Sequence, residues 1–166
     1  MKKDVIIKEC TDIVKTMIVA FVFVLIMLIF LQPAVVYGES MEPNYKHGDR
    51  FFIVRDWLIK EYEYGDIVCI GVGNEVYVKR IIGLPGDTIS FEDGFVYRNG
   101  SKIDESAYLP ADTITNSYEK EFTIDDGCYF VLGDNRGNSN DSRYIGQVES
   151  LWGRAWFFYR QNWFRN

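Results

Sequence analysis

Hydrophobic and polar positions divide the chain in two. From Met17 to Leu31 no side chain is charged or strongly polar, and as far as Val36 only Gln32 and Pro33 interrupt the run. At 1.5 Å per residue, roughly 20 such residues cross a bilayer core. The run is apolar all round, without the polar face that the core helix of a soluble domain shows. Lys2, Lys3, Lys8 and Lys15 precede it, whereas Gly38, Glu39 and Ser40 follow with no early positive cluster. The positive-inside rule then predicts a short cytoplasmic N-terminus over 1–15, a transmembrane anchor over 16–37 and an extracytoplasmic domain over 38–166. A cleavable secretory leader is the rival reading, since Val36 and Gly38 are small enough for a cleavage site. The length of the run, and Pro33 directly behind it, favour a retained anchor.

Beyond Tyr37 the pattern changes to short β-branched and aromatic runs. They predict strands at Phe51–Val54, Ile67–Ile70, Val76–Ile82, Thr88–Phe91, Phe95–Tyr97, Phe122–Ile124, Tyr129–Leu132 and Trp152–Tyr159. Turn residues separate them at 92–94, 99–100 and 125–127, and Asn99-Gly100 is a type I′ hairpin signal. Ser106–Lys120 has no clear period and reads as a loop. No convincing amphipathic helix follows the anchor, so the outer part is predicted to be mainly β.

Composition narrows the function. The 166 residues suit one domain, and with 48% hydrophobic and 16% aromatic residues the chain can build a core. A formal net charge of −6 argues against nucleic acid as a partner. Three cysteines, Cys10, Cys69 and Cys128, form neither a disulfide framework nor a zinc motif, although a Cys69–Cys128 pair stays open. There is one histidine, His47.

Three segments could carry chemistry. In Tyr77–Asp87, strand alternation puts Tyr77, Lys79 and Ile81 on one face and Arg80 on the other. Apolar neighbours disfavour the ammonium and lower a lysine pKa. Moving it from 10.4 to about 8 costs on the order of 3 kcal/mol. The plain alternative is a lysine whose stem crosses apolar surface to water. Gly133–Arg143 is densely polar. By itself it reads as a solvated loop in which Asp134 or Asp141 pairs with Arg80, Arg136 or Arg143. Gly38–Pro43 holds Ser40, and a serine nucleophile needs a base. His47 lies in a turn-like stretch predicted to leave it exposed, a poor third member for a Ser-His-Asp triad. Lysine is the remaining reasonable base.

Together the three segments resemble the type I signal peptidases of bacteria (leader peptidases, peptidase family S26). Ser40-Met41-Glu42-Pro43 meets the Ser-Met-x-Pro pattern. Lys79 through Asp87 meets Lys-Arg-x-x-Gly-x-Pro-Gly-Asp, and Gly133 through Arg143 meets Gly-Asp-Asn-Arg-x-x-Ser-x-Asp-Ser-Arg. All three stand in the family's order behind one apolar segment, and the short chain is similar to the compact Gram-positive enzymes. The resemblance implies the coiled β-sheet domain shared with self-cleaving repressors, here with one N-terminal transmembrane helix.

It also implies a function: a serine endopeptidase that removes signal peptides from secretory preproteins, cutting after small residues (Ala-x-Ala) at the outer membrane surface. Ser40 is then the nucleophile and Lys79 its general base. Ser139 orients the amine, Asp141 and Arg143 shape that wall, and Asp134 and Arg80 support it. Met41, Tyr77 and Val78 match the family's substrate-pocket positions. No cofactor or metal is implied. Gly38 departs from relatives with a serine two residues before the nucleophile, and glycine offers no side-chain donor to the oxyanion.

Membrane lipid is the second expected partner. Phe51-Phe52, Trp57-Leu58-Ile59 and the segment from Trp152 to Phe164 are candidates for the interface, with Arg154, Arg160 and Arg165 suited to lipid head groups. Trp156 and Phe158 are instead expected in the β core. Two other readings remain: a self-cleaving Ser-Lys peptidase, which would need a DNA-binding module where the apolar segment stands, and an inactive scaffold, which would not need the complete residue set.

Overall fold

The computed structural model describes residues 2–72, 75–118 and 120–159. The N-terminal unit is a single helix, α1 (Lys2–Phe30). Its Ile6–Phe30 portion, 25 residues, is long and apolar enough to cross a membrane, and its side chains from Ile6 onward are exposed. Helix ends at Phe30, so the last residues of the expected anchor are not helical. Leu31–Val35 form a strand, β1, that becomes the edge of a sheet. Pro33 fits there because an edge strand tolerates a missing N–H.

The second unit is mainly β. Its strands are β2 (Arg50–Arg55), β3 (Ile67–Val72), β4 (Glu75–Gly83), β5 (Thr88–Glu92), β6 (Phe95–Arg98), β7 (Ser101–Lys102), β8 (Glu121–Thr123), β9 (Phe130–Leu132) and β10 (Leu151–Tyr159). One helical turn, α2 (Ser142–Ile145), precedes β10. A six-stranded sheet runs β1-β2-β10-β3-β4-β9 and a four-stranded sheet runs β7-β6-β5-β8. All eight predicted strands form. β1, β7 and α2 are additional, each too short or too irregular to announce itself as a period. The loop expected over Ser106–Lys120 contains neither helix nor strand at its described positions.

Pattern and burial agree strand by strand. β2 alternates, with Phe51 and Ile53 buried and Arg50 and Phe52 exposed, as a half-buried strand does. β3 lies between β10 and β4, and its first four residues are all buried. Asn99 and Gly100 both adopt positive φ (53° and 75°) and join β6 to β7 as the I′ signal predicts.

Among the described residues, three apolar clusters hold the strands together. One gathers Ile82, Ile89, Val96, Ile124, Cys128, Phe130 and Leu132, drawing on both sheets. A second contains Val68, Ile70, Ile81, Val131 and Leu151; a third contains Val36, Phe51, Ile53 and Cys69. Each such side chain contributes about 1.5–3 kcal/mol on burial. The adjacent Ile81 and Ile82 serve different clusters because β4 sends successive side chains to opposite faces. Cys69 and Cys128 are buried free thiols in different clusters, and Cys10 is an exposed one.

Trp156 corrects an expectation. It is 59% exposed rather than in the core, and Trp152 is 49% exposed. The alternation along β10 gives the reason: Leu151 and Gly153 face inward, so Trp152 and Trp156 face outward. Trp156 stands across from the exposed Phe52 in the β2–β10 register. The side chain of Phe158, and residues Arg160, Trp163, Phe164 and Arg165, lie outside the described residues.

Candidate active site

Ser40 sits in the turn-rich segment between β1 and β2. Two short backbone bonds shape that segment: Glu42 N–H to Glu39 C=O (3.0 Å) and Tyr45 N–H to Met41 C=O (2.9 Å). Lys79 sits on β4 directly across from Val68 of β3. The register that places Lys79 in the interior is therefore the one that buries Val68 and Ile81.

The Lys79 Nζ stands 2.7 Å from the Ser40 Oγ. Lys79 is only 2% exposed. Burial pushes its pKa down from the ordinary value to about 8, against a smaller opposing pull from the carboxylates of Asp141 and Asp134. The Tyr77 ring centroid lies 5.3 Å from the same nitrogen. A half-buried hydroxyl thus faces an amine that gives up its proton near neutrality, the chemical requirement of a serine nucleophile with a lysine base.

The segment after β9 builds the opposite wall. Gly133 N–H donates to Asp141 Oδ2 (3.0 Å), and Asn135 N–H donates to the Ser40 carbonyl (2.9 Å). Asn135 Nδ2 donates to the Glu39 carbonyl (3.1 Å). The polar loop therefore grips the backbone at Ser40 directly. Among the described residues, Ser139 Oγ is buried without a hydrogen-bond partner.

Two of the buried ion pairs that fix this loop are among the pairings expected from the sequence. Asp141 and Arg143 make a bidentate pair (2.8 and 2.9 Å), and Asp141 also caps α2. Asp134 makes a second with Arg80 (2.8 and 2.7 Å), on the face of β4 opposite Lys79. Fork-to-fork geometry of this kind fixes orientation as well as distance. Arg136 bonds instead to Glu105, Thr115 and the Gly133 carbonyl. Glu105, Thr115 and Asn44, which donates to Asp134, carry no signal in the sequence. They lie far along the chain or in polar stretches without a period.

The structure brings Ser40, Lys79, Ser139, Asp141 and Arg143 into one constellation, with Asp134 and Arg80 behind it. Met41 is 1% exposed and packed inside, while Tyr77 and Val78 are half-buried. His47 is exposed, and its Nδ1 accepts from the Gly38 N–H (3.2 Å). Among the described residues, no three His, Cys, Asp or Glu side chains stand close enough together to hold a metal ion.

Comparison with known proteins matches a family model, described as signal peptidase, peptidase S26, to residues 10–160. The signal peptidase I of Bacillus amyloliquefaciens is 42% identical over 143 residues, 80% of this chain and 76% of the relative. The signal peptidase IB of Staphylococcus aureus is 34% identical over 160 residues, 86% of this chain and 84% of the relative. A crystal structure of a signal peptidase I from Enterococcus faecalis matches at 32% identity and a TM-score of 0.47, covering 58% of this chain and 97% of that one.

Proposed function

The chain belongs to the signal peptidase family, peptidase S26, and from that premise we propose that it cleaves secretory preproteins with a Ser40/Lys79 dyad at the outer surface of a membrane. It is a serine endopeptidase of the type I signal peptidase kind. The observation that carries the dyad is the 2.7 Å approach of Lys79 Nζ to Ser40 Oγ where the amine is almost wholly removed from water.

Neutral Lys79 takes the Ser40 proton as Oγ attacks the scissile carbonyl carbon. The oxygen of the tetrahedral intermediate gathers negative charge, and the Ser40 backbone N–H is one donor for it. A donor so aimed is worth about 3 kcal/mol. Lys79 then protonates the departing amine, and water attacking the acyl-enzyme by the same proton path frees Ser40. Ser139 Oγ, buried without a hydrogen bond, is free to turn to the lysine amine and orient it as the proton moves. Asp141 with Arg143, and Asp134 with Arg80, hold the wall that carries it.

The substrate docks as an added strand. Pairing of β4 with β9 begins at Arg80, whereas its pairing with β3 extends through Glu75. The Glu75–Lys79 stretch therefore leaves main-chain groups for an incoming peptide, with Tyr77 and Val78 beside it. Met41 underlies the pocket from inside. Small residues at alternate substrate positions, Ala-x-Ala, fit an edge so closely backed.

Helix α1 serves as the membrane anchor, its lysines on the cytoplasmic side and the β domain outside. Residues 13–30, about 27 Å of helix, come close to a hydrocarbon core of roughly 30 Å, with Lys15 reaching back to the cytoplasmic interface. Trp57, Trp152 and Trp156, all exposed, suit the interface of a lipid surface.

Incubation of the purified full chain with a preprotein tests the reading, with the cut site found by N-terminal sequencing. Cleavage after a small residue at the leader's end, abolished in Ser40→Ala and Lys79→Ala variants that stay folded, is the expected result. Undiminished cleavage by Lys79→Ala would end it.

A further inference from the structure

Ser40 is anchored differently on its two sides. On the loop side, its carbonyl and that of Glu39 are both held by Asn135, and the Glu39 carbonyl also accepts from Glu42 N–H. On the side toward β1, the contact two residues before the nucleophile is the Gly38 N–H to His47 Nδ1 bond.

That bond completes a ladder. The segment from Val36 to Asp49 is closed at its base by Val36 N–H to Asp49 C=O (2.8 Å) and Gly48 N–H to Val36 C=O (2.9 Å). One step nearer Ser40, the His47 side chain stands where a backbone acceptor would continue the pairing. Gly38 has φ +86°, and a Cβ there would find nothing within 4 Å. A glycine so placed has no side chain to hold it, so its hydrogen bond sets its position. The imidazole is steadied in turn by Tyr37, edge to face at 5.5 Å and 78°.

We propose that His47 is a positioning residue for the nucleophile: through Nδ1 it holds Gly38 and so sets where Ser40 Oγ stands against Lys79 Nζ. This rests on the Ser40/Lys79 reading. His47 does not take the serine proton. Its Nδ1 lone pair is engaged, and acceptance there places the ring proton on Nε2. Small misplacements of a reacting atom cost rate steeply. The main-chain groups of β4 that would take the substrate strand are not among the contacts of His47, which are with Gly38 and Tyr37, so the loss falls on kcat and not on KM.

Three full-chain variants in detergent, assayed on a preprotein, test the proposal. His47→Phe keeps a ring for Tyr37 and removes the acceptor. His47→Asn returns an acceptor oxygen near the Nδ1 position, while His47→Gln carries its acceptor one atom farther out. His47→Phe is expected to lower kcat roughly tenfold with KM and the melting midpoint unchanged. His47→Asn should retain most of kcat, and His47→Gln should not. Equal losses in the Phe and Asn variants, no loss in Phe, or a loss that tracks the melting midpoint would each overturn it. Ser40→Ala, assayed alongside, separates the two readings. Wild-type cleavage by Ser40→Ala refutes the dyad, whereas an inactive Ser40→Ala with a fully active His47→Phe refutes the positioning role alone.

Discussion

Gly133 and Ser139 share a space that admits no further atom: a Cβ built on Gly133 would lie 2.2 Å from Ser139 Oγ and 2.4 Å from the Ser40 carbonyl oxygen. The absent side chain lets the loop after β9 close on Ser40. Gly133→Ala is therefore expected to displace both serines and lower kcat by about 100-fold. Preprotein cleavage measured beside a far-UV circular dichroism spectrum would show whether activity falls while the fold persists.

The depressed pKa of Lys79 sets a pH dependence. The base must be neutral, so kcat/KM should rise through about pH 8 and level off above it. A rate that stayed flat from pH 6 to 10 would contradict the assignment.

The same shift has a cost in stability. The folded-state pKa lies below the ordinary lysine value, so between about pH 8 and 10.5 the unfolded chain binds more protons than the folded one. Stability contributed by this group therefore rises with pH across that window, and below it the folded state bears the full penalty of a buried ammonium. Lys79→Met should be inactive, yet melt at least as high as the natural chain at pH 7. The difference should narrow by about 3 kcal/mol on reaching pH 10.5. Paired denaturant titrations at the two pH values check this.

Asp134 and Arg80 are 0% and 11% exposed at their side chains. Asp134→Ala leaves the guanidinium buried without its carboxylate and should cost about 3–5 kcal/mol. Adding Arg80→Met should recover a large part of that loss, because the pair itself contributes little net stability once its desolvation is counted. Equal midpoints for the single and double variants would refute the account.

Truncation tests the role of β1. A chain starting at Leu31 keeps β1 and the buried Val36, with its bonds to Gly48 and Asp49. A chain starting at Gly38 loses all three. The shorter form is expected to melt lower and cleave more slowly, even in detergent.

Much of the second unit was legible along the chain. Alternation in Phe51–Val54 and the dense apolar run at Ile67–Ile70 each announce a strand whose burial follows from its place in the sheet. Asn99-Gly100 announces a turn that few other residue pairs make. Trp156 is exposed against expectation because aromatic character marks a strand without saying which face is covered. Leu31–Val35 continues the apolar run with only Gln32 and Pro33 interrupting it, so the sequence assigns it to the anchor, and pairing with β2 is what sets it apart. Spacing alone leaves a Cys69–Cys128 pair open, and separate clusters keep the two apart as free thiols.

Covalent order alone determined the residue types of the site, the polar poverty of residues 17–31, and the alternation that puts Lys79 and Arg80 on opposite faces, since each depends only on local spacing. Tertiary structure decided that residues 40, 79 and 139 meet, that Arg136 turns to Glu105, and that the lone histidine serves Gly38. Contacts across such separations depend on sheet register and on how loops close over a core, which no local period records.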